Sequence, residues 1–417
     1  MGLSNMVSGT DERSRKRGRA RGLITNLALV VAACIVTVLV AEALLHATSG
    51  IHGIALRRSA CLPPVWGPGK GLPWVLRADA VGRQIDGYGE FDCEFRINSL
   101  GLRDDEVEPS ERPGGTRTLI LGDSVTAGHG VEQDETYASQ LDEMLGGAGR
   151  NEVLNCGWAS WYTTDGAYVF LRQRIDEFDP DLVILGFFLN DVADLRPDWW
   201  RPTGASLPDS LRPPRGPEDP RSRAPGLFDR ARMFLGRRSY LYNLVRERLA
   251  GGVRRASRGS DLFTLEHALR GEFPASAVML FTRDYPPEVQ KRLELTERLF
   301  VGMDRLCAER GAHFAVAVLP ADFQVLDWKR ERSGVLPVVF HDQPYVAGKA
   351  QKVISEMCRR NGIPVVDLLP AFRERGTDDC FFRWDPHPTA LGHTLIAEEL
   401  AWFIRSEGLL DRPRSTP

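Results

Sequence analysis

Arg117-Thr118-Leu119-Ile120-Leu121-Gly122-Asp123-Ser124-Val125-Thr126-Ala127-Gly128 is the stretch on which the reading of this chain turns. Its first five residues form a short, nearly continuous apolar run, the pattern of a strand buried on both faces. The run passes without a spacer into a turn of small residues around Ser124. A serine placed where such a strand ends projects its hydroxyl into the crevice at the carboxyl edge of a parallel sheet, where such sheets form their sites. Glycine-rich turns after strands also cradle phosphates. Here no Gly-Lys-Ser/Thr closes the turn, and Gly122, Gly128 and Gly130 lack the dinucleotide-binding spacing.

The alternation continues outward. Residues 136–145, 164–178, 293–310, 349–360 and 390–404 have helical spacing, and 152–156, 181–187, 313–319 and 363–368 are further apolar strands. Five apolar strands separated by helices predict an α/β fold, a mostly parallel five-stranded sheet covered on both faces. It occupies 113–410 and is interrupted at 196–285 by a segment with RPPRGPEDPRSRAP at its centre, too long for a plain loop and a candidate lid or docking surface. Residues 46–112, rich in Pro and Gly, read as a connector carrying a small strand-rich extension with a β-like run at 93–97.

At the other end the basic stretch TDERSRKRGRARG, residues 10–22, precedes the apolar run 23–45. At ~1.5 Å per residue that run spans roughly 34 Å, enough for a hydrocarbon core of about 30 Å. Its one ionisable residue, Glu42, lies near the far end. Basic residues stay on the cytoplasmic side, so residues 1–22 are expected inside and everything after about 46 outside. Val31-Ala32-Ala33-Cys34 resembles a bacterial lipobox, but the apolar run continues past Cys34, which favours an uncleaved transmembrane helix. The net charge of −3 excludes a molecule that binds nucleic acid through its overall charge. Seven cysteines follow no metal-ligand spacing; Cys61 and Cys93 are candidates to pair in an oxidising compartment, and Cys156, Cys307 and Cys358 read as core residues.

The ends of the predicted strands carry the polar residues. The second strand ends at Gly157, where a bare backbone N–H can approach a substrate oxygen, and the third is followed by Asn190, whose amide can donate to a developing oxyanion. Beyond the last strand lies Trp384-Asp385-Pro386-His387-Pro388. A hydroxyl becomes a nucleophile when a base takes its proton; an imidazole does so near neutral pH, and a carboxylate fixes its tautomer. His129 reads as a possible substrate contact and His393, in the closing helix, as structural; Trp158, Trp161 and Tyr162 are candidates to stack on a sugar ring.

Together Gly122-Asp123-Ser124, Gly157, Asn190 and His387 resemble the four motif blocks of the SGNH, or GDSL-type, hydrolase superfamily. The resemblance implies a flavodoxin-like three-layer α/β/α sandwich, no metal or other cofactor, Ser124 as nucleophile and His387 as base. It also implies an oxyanion hole built from the Ser124 and Gly157 N–H groups and the Asn190 amide. The common pattern has its acid three residues before the histidine, where this chain has Trp384; here the carboxylate is Asp385, two before, with Asp378 and Asp379 as substitutes. A similar Asp-x-His spacing occurs in SGNH-like O-acetyltransferases of exopolysaccharides. The expectation is a membrane-anchored extracytoplasmic serine esterase acting on an O-acylated glycan, lipid or small ester. The alternatives are an O-acyltransferase of an exported polysaccharide and, in another class, a non-catalytic envelope protein that binds glycan.

Overall fold

The computed structural model describes most of residues 60–157, 163–195, 280–327 and 346–411, with shorter pieces between 25 and 47 and between 239 and 242. Residues 59–224 and 253–417 form one compact unit, and 1–58 with 225–252 form a second.

The first unit opens with small antiparallel sheets. Strands β1 (Ala60–Leu62), β4 (Val81–Ile85) and β5 (Asp92–Arg96) pair in the order β1-β4-β5, and β2 (Trp66–Gly69) pairs with β3 (Leu72–Leu76). Along β4 and β5 buried and exposed residues alternate, as one-sided strands require. Cys61 and Cys93 both lie opposite Gln84, on its two sides. Two strand spacings of about 4.8 Å separate them, beyond the reach of a disulfide, and the buried Cys93 is in no disulfide.

The main sheet follows: β6 (Thr116–Gly122), β7 (Asn151–Gly157), β8 (Leu182–Phe187), β9 (His313–Val318) and β10 (Val365–Asp367), all parallel, in the order β10-β9-β8-β6-β7. Counted from β6 this is the flavodoxin-like 2-1-3-4-5 order, whose crevice opens at the carboxyl ends of β6 and β8. Leu119, Leu121, Val183, Leu185, Val316 and Val318 pack on one face beneath α2 (Thr164–Phe178), α4 (Pro287–Ala308) and α6 (Lys349–Arg360). Ile120, Ile184, Ala315 and Ala317 pack on the other beneath α1 (Tyr137–Leu145), α7 (Leu369–Arg375) and α8 (Ala390–Ser406). Two short helices, α3 (Asn190–Asp194) and α5 (Asp322–Val325), follow β8 and β9. The expected sheet is therefore present with its five strands. Helix α4 begins six residues earlier than its apolar spacing indicated, and the last strand shrinks to three residues.

Three glycines shape the carboxyl edge of this sheet. A Cβ at Gly122 would lie 2.0 Å from Thr126 Oγ1, one at Gly186 2.8 Å from the same atom, and one at Gly157 2.3 Å from the Ala127 nitrogen. The turn carrying Ser124 thus sits down onto three strand ends that have no side chains. Its far side is held by Arg103, fully buried, which donates to the carbonyls of Ala127 (2.7 Å), Gly128 (2.5 Å), Val131 (2.7 Å) and Glu94 (3.0 Å) and lies over the Phe95 ring.

In the second unit, residues 32–45 are helical, and Leu29, Ile35, Val36, Val38, Leu39, Val40 and Leu44 are each at least half exposed. Among the described residues no helix is long and apolar enough to cross a membrane; several residues of the run 23–45, and nearly all of the insertion 196–285, lie outside them.

Arg103→Met removes the donor to four carbonyls, three of those bonds being buried. It leaves the Ala127 and Val131 oxygens without that donor, while Gly128 O keeps the Val131 N–H. Breaking a buried charged group's bonds costs about 3–5 kcal/mol, the loss that urea unfolding should show. Arg103→Lys should recover little, because an ammonium lacks the planar fork that spans these oxygens. A loss below about 1 kcal/mol for Arg103→Met would refute the strap.

Candidate active site

Ser124 stands in the first turn after β6. The turn is closed by backbone bonds from Ala127 N to Asp123 O (3.0 Å) and from His129 N to Ser124 O (3.0 Å), and by Val125 N donating to Asp123 Oδ1 (2.9 Å). The Ser124 hydroxyl lies 2.8 Å from His387 Nε2, and His387 Nδ1 lies 2.5 Å from Asp385 Oδ1. The backbone N–H of His387 donates to the same Oδ1 at 3.0 Å, so a single carboxylate oxygen holds both the main chain and the ring of the histidine. Asp378 and Asp379 are exposed on a separate 3-10 turn, Asp378–Cys380.

The segment bearing Asp385 and His387 is a closed loop. Phe382 N donates to His387 O (3.1 Å), Thr389 N to Cys380 O (3.1 Å), and Phe381 and Pro388 form an antiparallel bridge. Its tip wraps a carboxylate from the strand extension. Glu90 Oε1 accepts the N–H of Arg383 (2.6 Å), and Oε2 accepts those of Trp384 (2.8 Å) and Asp385 (2.9 Å). Successive backbone N–H groups converging on one anion make a nest, and here the anion is part of the chain.

His129 is buried beside this pair. Its ring stacks on that of His387 with centroids 4.1 Å apart, and its Nε2 lies 3.7 Å from Asp385 Oδ2. Burial, then the neighbouring His387 charge, pushes its pKa down to about 4, so it is neutral at pH 7. Burial alone would raise the Asp385 pKa, but the two imidazoles outweigh it and hold the carboxyl well below the usual range. His393 is fully buried and neutral, pushed down to about 3 by burial, and its Nδ1 accepts the Tyr137 N–H at 3.1 Å.

The expected oxyanion donors reach the same edge of the sheet in different states. Gly157 pairs in register with Gly122, but its N–H donates to Asn155 Oδ1 at 3.0 Å, and serving a substrate oxygen requires that this bond open. Asn190 is the first residue of α3, directly after β8, and next to it the Asp191 carboxylate accepts the Phe188 N–H. Trp158, Trp161 and Tyr162 lie outside the described residues. Among the described residues, His129, Asp385 and His387 form the one group able to hold a metal ion, with ligand atoms within 4.8 Å. The 2.5 Å Nδ1···Oδ1 separation is that of a shared proton; two ligands at about 2.0–2.1 Å from one ion stand farther apart.

The extension contributes to the site through Gln84, Glu90 and Arg103, which no motif in the sequence marks. They are polar residues on a one-sided strand or in loops, and only the tertiary contact gives them meaning. On β4 the polar Gln84 is buried while the apolar Ile85 is exposed, the reverse of what their residue types suggest, so the sequence of this strand gives no pointer to the site.

Residues 120–395, about two thirds of the chain, match the model of the GDSL-like Lipase/Acylhydrolase family. An arylesterase from Vibrio mimicus is 32% identical over 75 residues, which are 18% of this chain and 38% of that protein. The chain thus spans well under half of that curated relative. Among solved structures, TesA aligns with a TM-score of 0.36 at 13% identity, over 70% of this chain and 98% of that one. The psychrotrophic esterase EstA of Pseudoalteromonas sp. aligns at 0.34 and 11%, over 70% and 98%. An extracellular lipase of Streptomyces rimosus aligns at 0.32 and 11%, over 69% and 100%. The family assignment rests on the match over 120–395.

Glu90→Gln leaves one good acceptor for three N–H groups. Charge-assisted hydrogen bonds contribute about 1.5–3 kcal/mol each, so the loop should loosen and kcat fall about ten- to a hundredfold, with little change in KM. Steady-state kinetics on a chromogenic ester would show this, and wild-type kcat in Glu90→Gln would refute the nest's role.

Proposed function

The chain belongs to the GDSL-like Lipase/Acylhydrolase family, and from that premise we propose that it is a serine esterase cleaving acyl esters through an acyl-serine intermediate. The observation that carries this reading is the unbroken chain Ser124 Oγ···His387 Nε2 (2.8 Å) and His387 Nδ1···Asp385 Oδ1 (2.5 Å).

In the first step Ser124 Oγ attacks the ester carbonyl carbon while His387 Nε2 takes the hydroxyl proton. Asp385 keeps Nδ1 protonated and stabilises the imidazolium. The carbonyl oxygen becomes an oxyanion, served by the Ser124 N–H, the Asn190 amide and the Gly157 N–H once it leaves Asn155. Collapse breaks the ester C–O bond, and His387 returns the proton to the departing alcohol. A water then gives its proton to His387, attacks the acyl-serine, and the carboxylic acid leaves as Ser124 regains its hydrogen. Substituting a sugar hydroxyl for that water gives acyl transfer. This second reading is favoured by the two-residue spacing of Asp385 and His387, similar to that of exopolysaccharide O-acetyltransferases. An O-acylated glycan is the substrate class that serves both readings. A non-catalytic glycan-binding role would need no nucleophile held on a base, and the Ser124–His387 contact argues against it.

The N-terminal run supports a place for this chemistry. We infer a single-pass anchor at 23–45, with the catalytic unit outside the cytoplasmic membrane; the basic stretch 10–22 and the exposed apolar side chains of 29–44 support it. The insertion segment touches this region within its own unit: Glu42 accepts from Ser239 Oγ and Leu241 N, both at 3.0 Å.

Full-length chain supplied with a short-chain nitrophenyl ester should turn over, and a fluorophosphonate should label Ser124. Ser124→Ala and His387→Ala should each abolish both turnover and labelling, and Asp385→Asn should cut kcat by about 10⁴-fold. Folded protein that neither turns over nor labels would end the esterase reading; an acylated oligosaccharide product from the same donor would establish transfer. For the anchor, activity should sediment with membranes and be reached by protease added outside intact inner-membrane vesicles of outward-facing orientation. Activity in the soluble fraction of cells producing the uncleaved full-length chain would refute it.

A further inference from the structure

Gln84 fixes the tautomer of His129. Its Oε1 accepts the backbone N–H of Gly130 at 2.9 Å, a donor that cannot reverse, and this orients the amide. Its Nε2 therefore faces His129 Nδ1, 2.6 Å away, and an amide nitrogen only donates. His129 Nδ1 must then be the acceptor, and the ring proton lies on Nε2, the atom that faces Asp385 Oδ2 at 3.7 Å. The Cys93 thiol, 3.8 Å from Gln84 Oε1, is a second donor to the same oxygen.

We propose that His129 is a positioning residue of the catalytic group: a neutral second imidazole whose Nε2–H is aimed at the outer oxygen of Asp385 and whose ring backs that of His387. Asp385 thereby faces an imidazole N–H on each carboxylate oxygen, His387 on Oδ1 and His129 on Oδ2. At 3.7 Å the second contact is longer than a hydrogen bond, and it acts as an electrostatic pull on Oδ2 that limits how strongly the carboxylate holds the His387 imidazolium. The stack at 4.1 Å closes the face of His387 away from solvent. Phe91, edge-on to His129 at 5.3 Å, and the absence of a side chain at Gly130, where a Cβ would meet Phe382 and Phe91 within 3 Å, set the depth of the ring. A buried histidine with purely structural duties needs no fixed proton pointing at a carboxylate. Gln84 belongs to the extension, ahead of the residues that match the family.

The titratable and charged groups around this pair are few. Ser124 and His129 come from the turn after β6, Glu90 and Arg103 from the extension, Cys93 from β5 and His393 from α8. Replacing His129 also removes the partner of Gln84 Nε2 and the ring against His387, so the comparison of a ring without an N–H with an N–H without the ring is what isolates the Asp385 contact.

The inference rests on the esterase reading, and its test separates the two. His129→Phe keeps a stacking ring and removes the proton; His129→Gln returns an N–H near the Nε2 position. In His129→Phe, kcat should fall about tenfold with KM nearly unchanged, and the acid limb of kcat/KM should move up by about 0.5–1 pH unit, because Asp385 presents its whole charge to His387. His129→Gln should restore most of both. In full-length wild-type chain with ¹⁵N-labelled histidine, the protonated ring nitrogen of His129 at pH 7 should be Nε2, its signal identified by its loss in His129→Gln. An Nδ1–H tautomer, a His129→Phe profile that superimposes on wild type, or a His129→Gln variant no better than His129→Phe would each overturn the proposal. A wild-type chain without turnover or Ser124 labelling would overturn it together with the esterase reading, whereas an active wild type with those results would overturn this proposal alone.

Discussion

The catalytic edge depends on the close approach of Thr126 to three strand ends. Its hydroxyl fills the room left by the missing side chains of Gly122 and Gly186, and its carbonyl carbon lies 2.5 Å from where a Cβ at Gly157 would be. The same hydroxyl pairs with the buried Tyr137 phenol at 2.7 Å. Tyr137 begins α1, and its backbone N–H donates to His393 on α8, the helix that follows His387. The nucleophile turn and the segment bearing the base are therefore referenced to one another through packed groups, not through the Ser124–His387 contact alone. A hydrogen bond at a sheet edge survives without substrate only if the elements on both sides are fixed this way.

The antiparallel extension completes the frame from the opposite side. Arg103 donates to carbonyls of the tight turn after Ser124, one of which, Gly128 O, also accepts the Val131 N–H, while Glu90 takes up the N–H groups of the closed loop before His387. Each catalytic loop has an excess of one kind of backbone group, and the extension brings a side chain of the opposite character to it. Buried backbone groups must be paired. These two loops would otherwise need water or local rearrangement to satisfy them, and either would soften the alignment of Ser124 with His387.

How much of this was legible follows from where the information lies. The main sheet was readable because a strand buried on both faces must be apolar throughout, and 117–121 and 182–187 are nearly so. That Ser124, Asp385 and His387 come together was readable because chemistry restricts the residue types such a constellation uses and topology restricts where they stand. The short α3 after β8 was not readable, since five residues carry no period. The parts played by Glu90, Arg103 and Gln84 depend on contacts across the fold to partners 295, 24 to 28 and 45 residues away, and no local pattern records such a contact. The Cys61–Cys93 pairing failed for a related reason: compartment and count do not reveal that two cysteines flank a third strand.

The two-residue spacing of Asp385 and His387 then has a physical account. An aspartate two residues before a histidine can accept that histidine's main-chain N–H, the Asx turn. Here the oxygen that does so, Oδ1, is also the one 2.5 Å from Nδ1. With Oδ1 engaged twice, Oδ2 is the oxygen that lies 3.7 Å from His129 Nε2. The nest around Glu90 includes the N–H of Asp385 itself, which fixes the backbone from which the carboxylate projects. The loop that carries Asp385 is thus held in part by Glu90, so the extension bears on the candidate site and is more than a spacer.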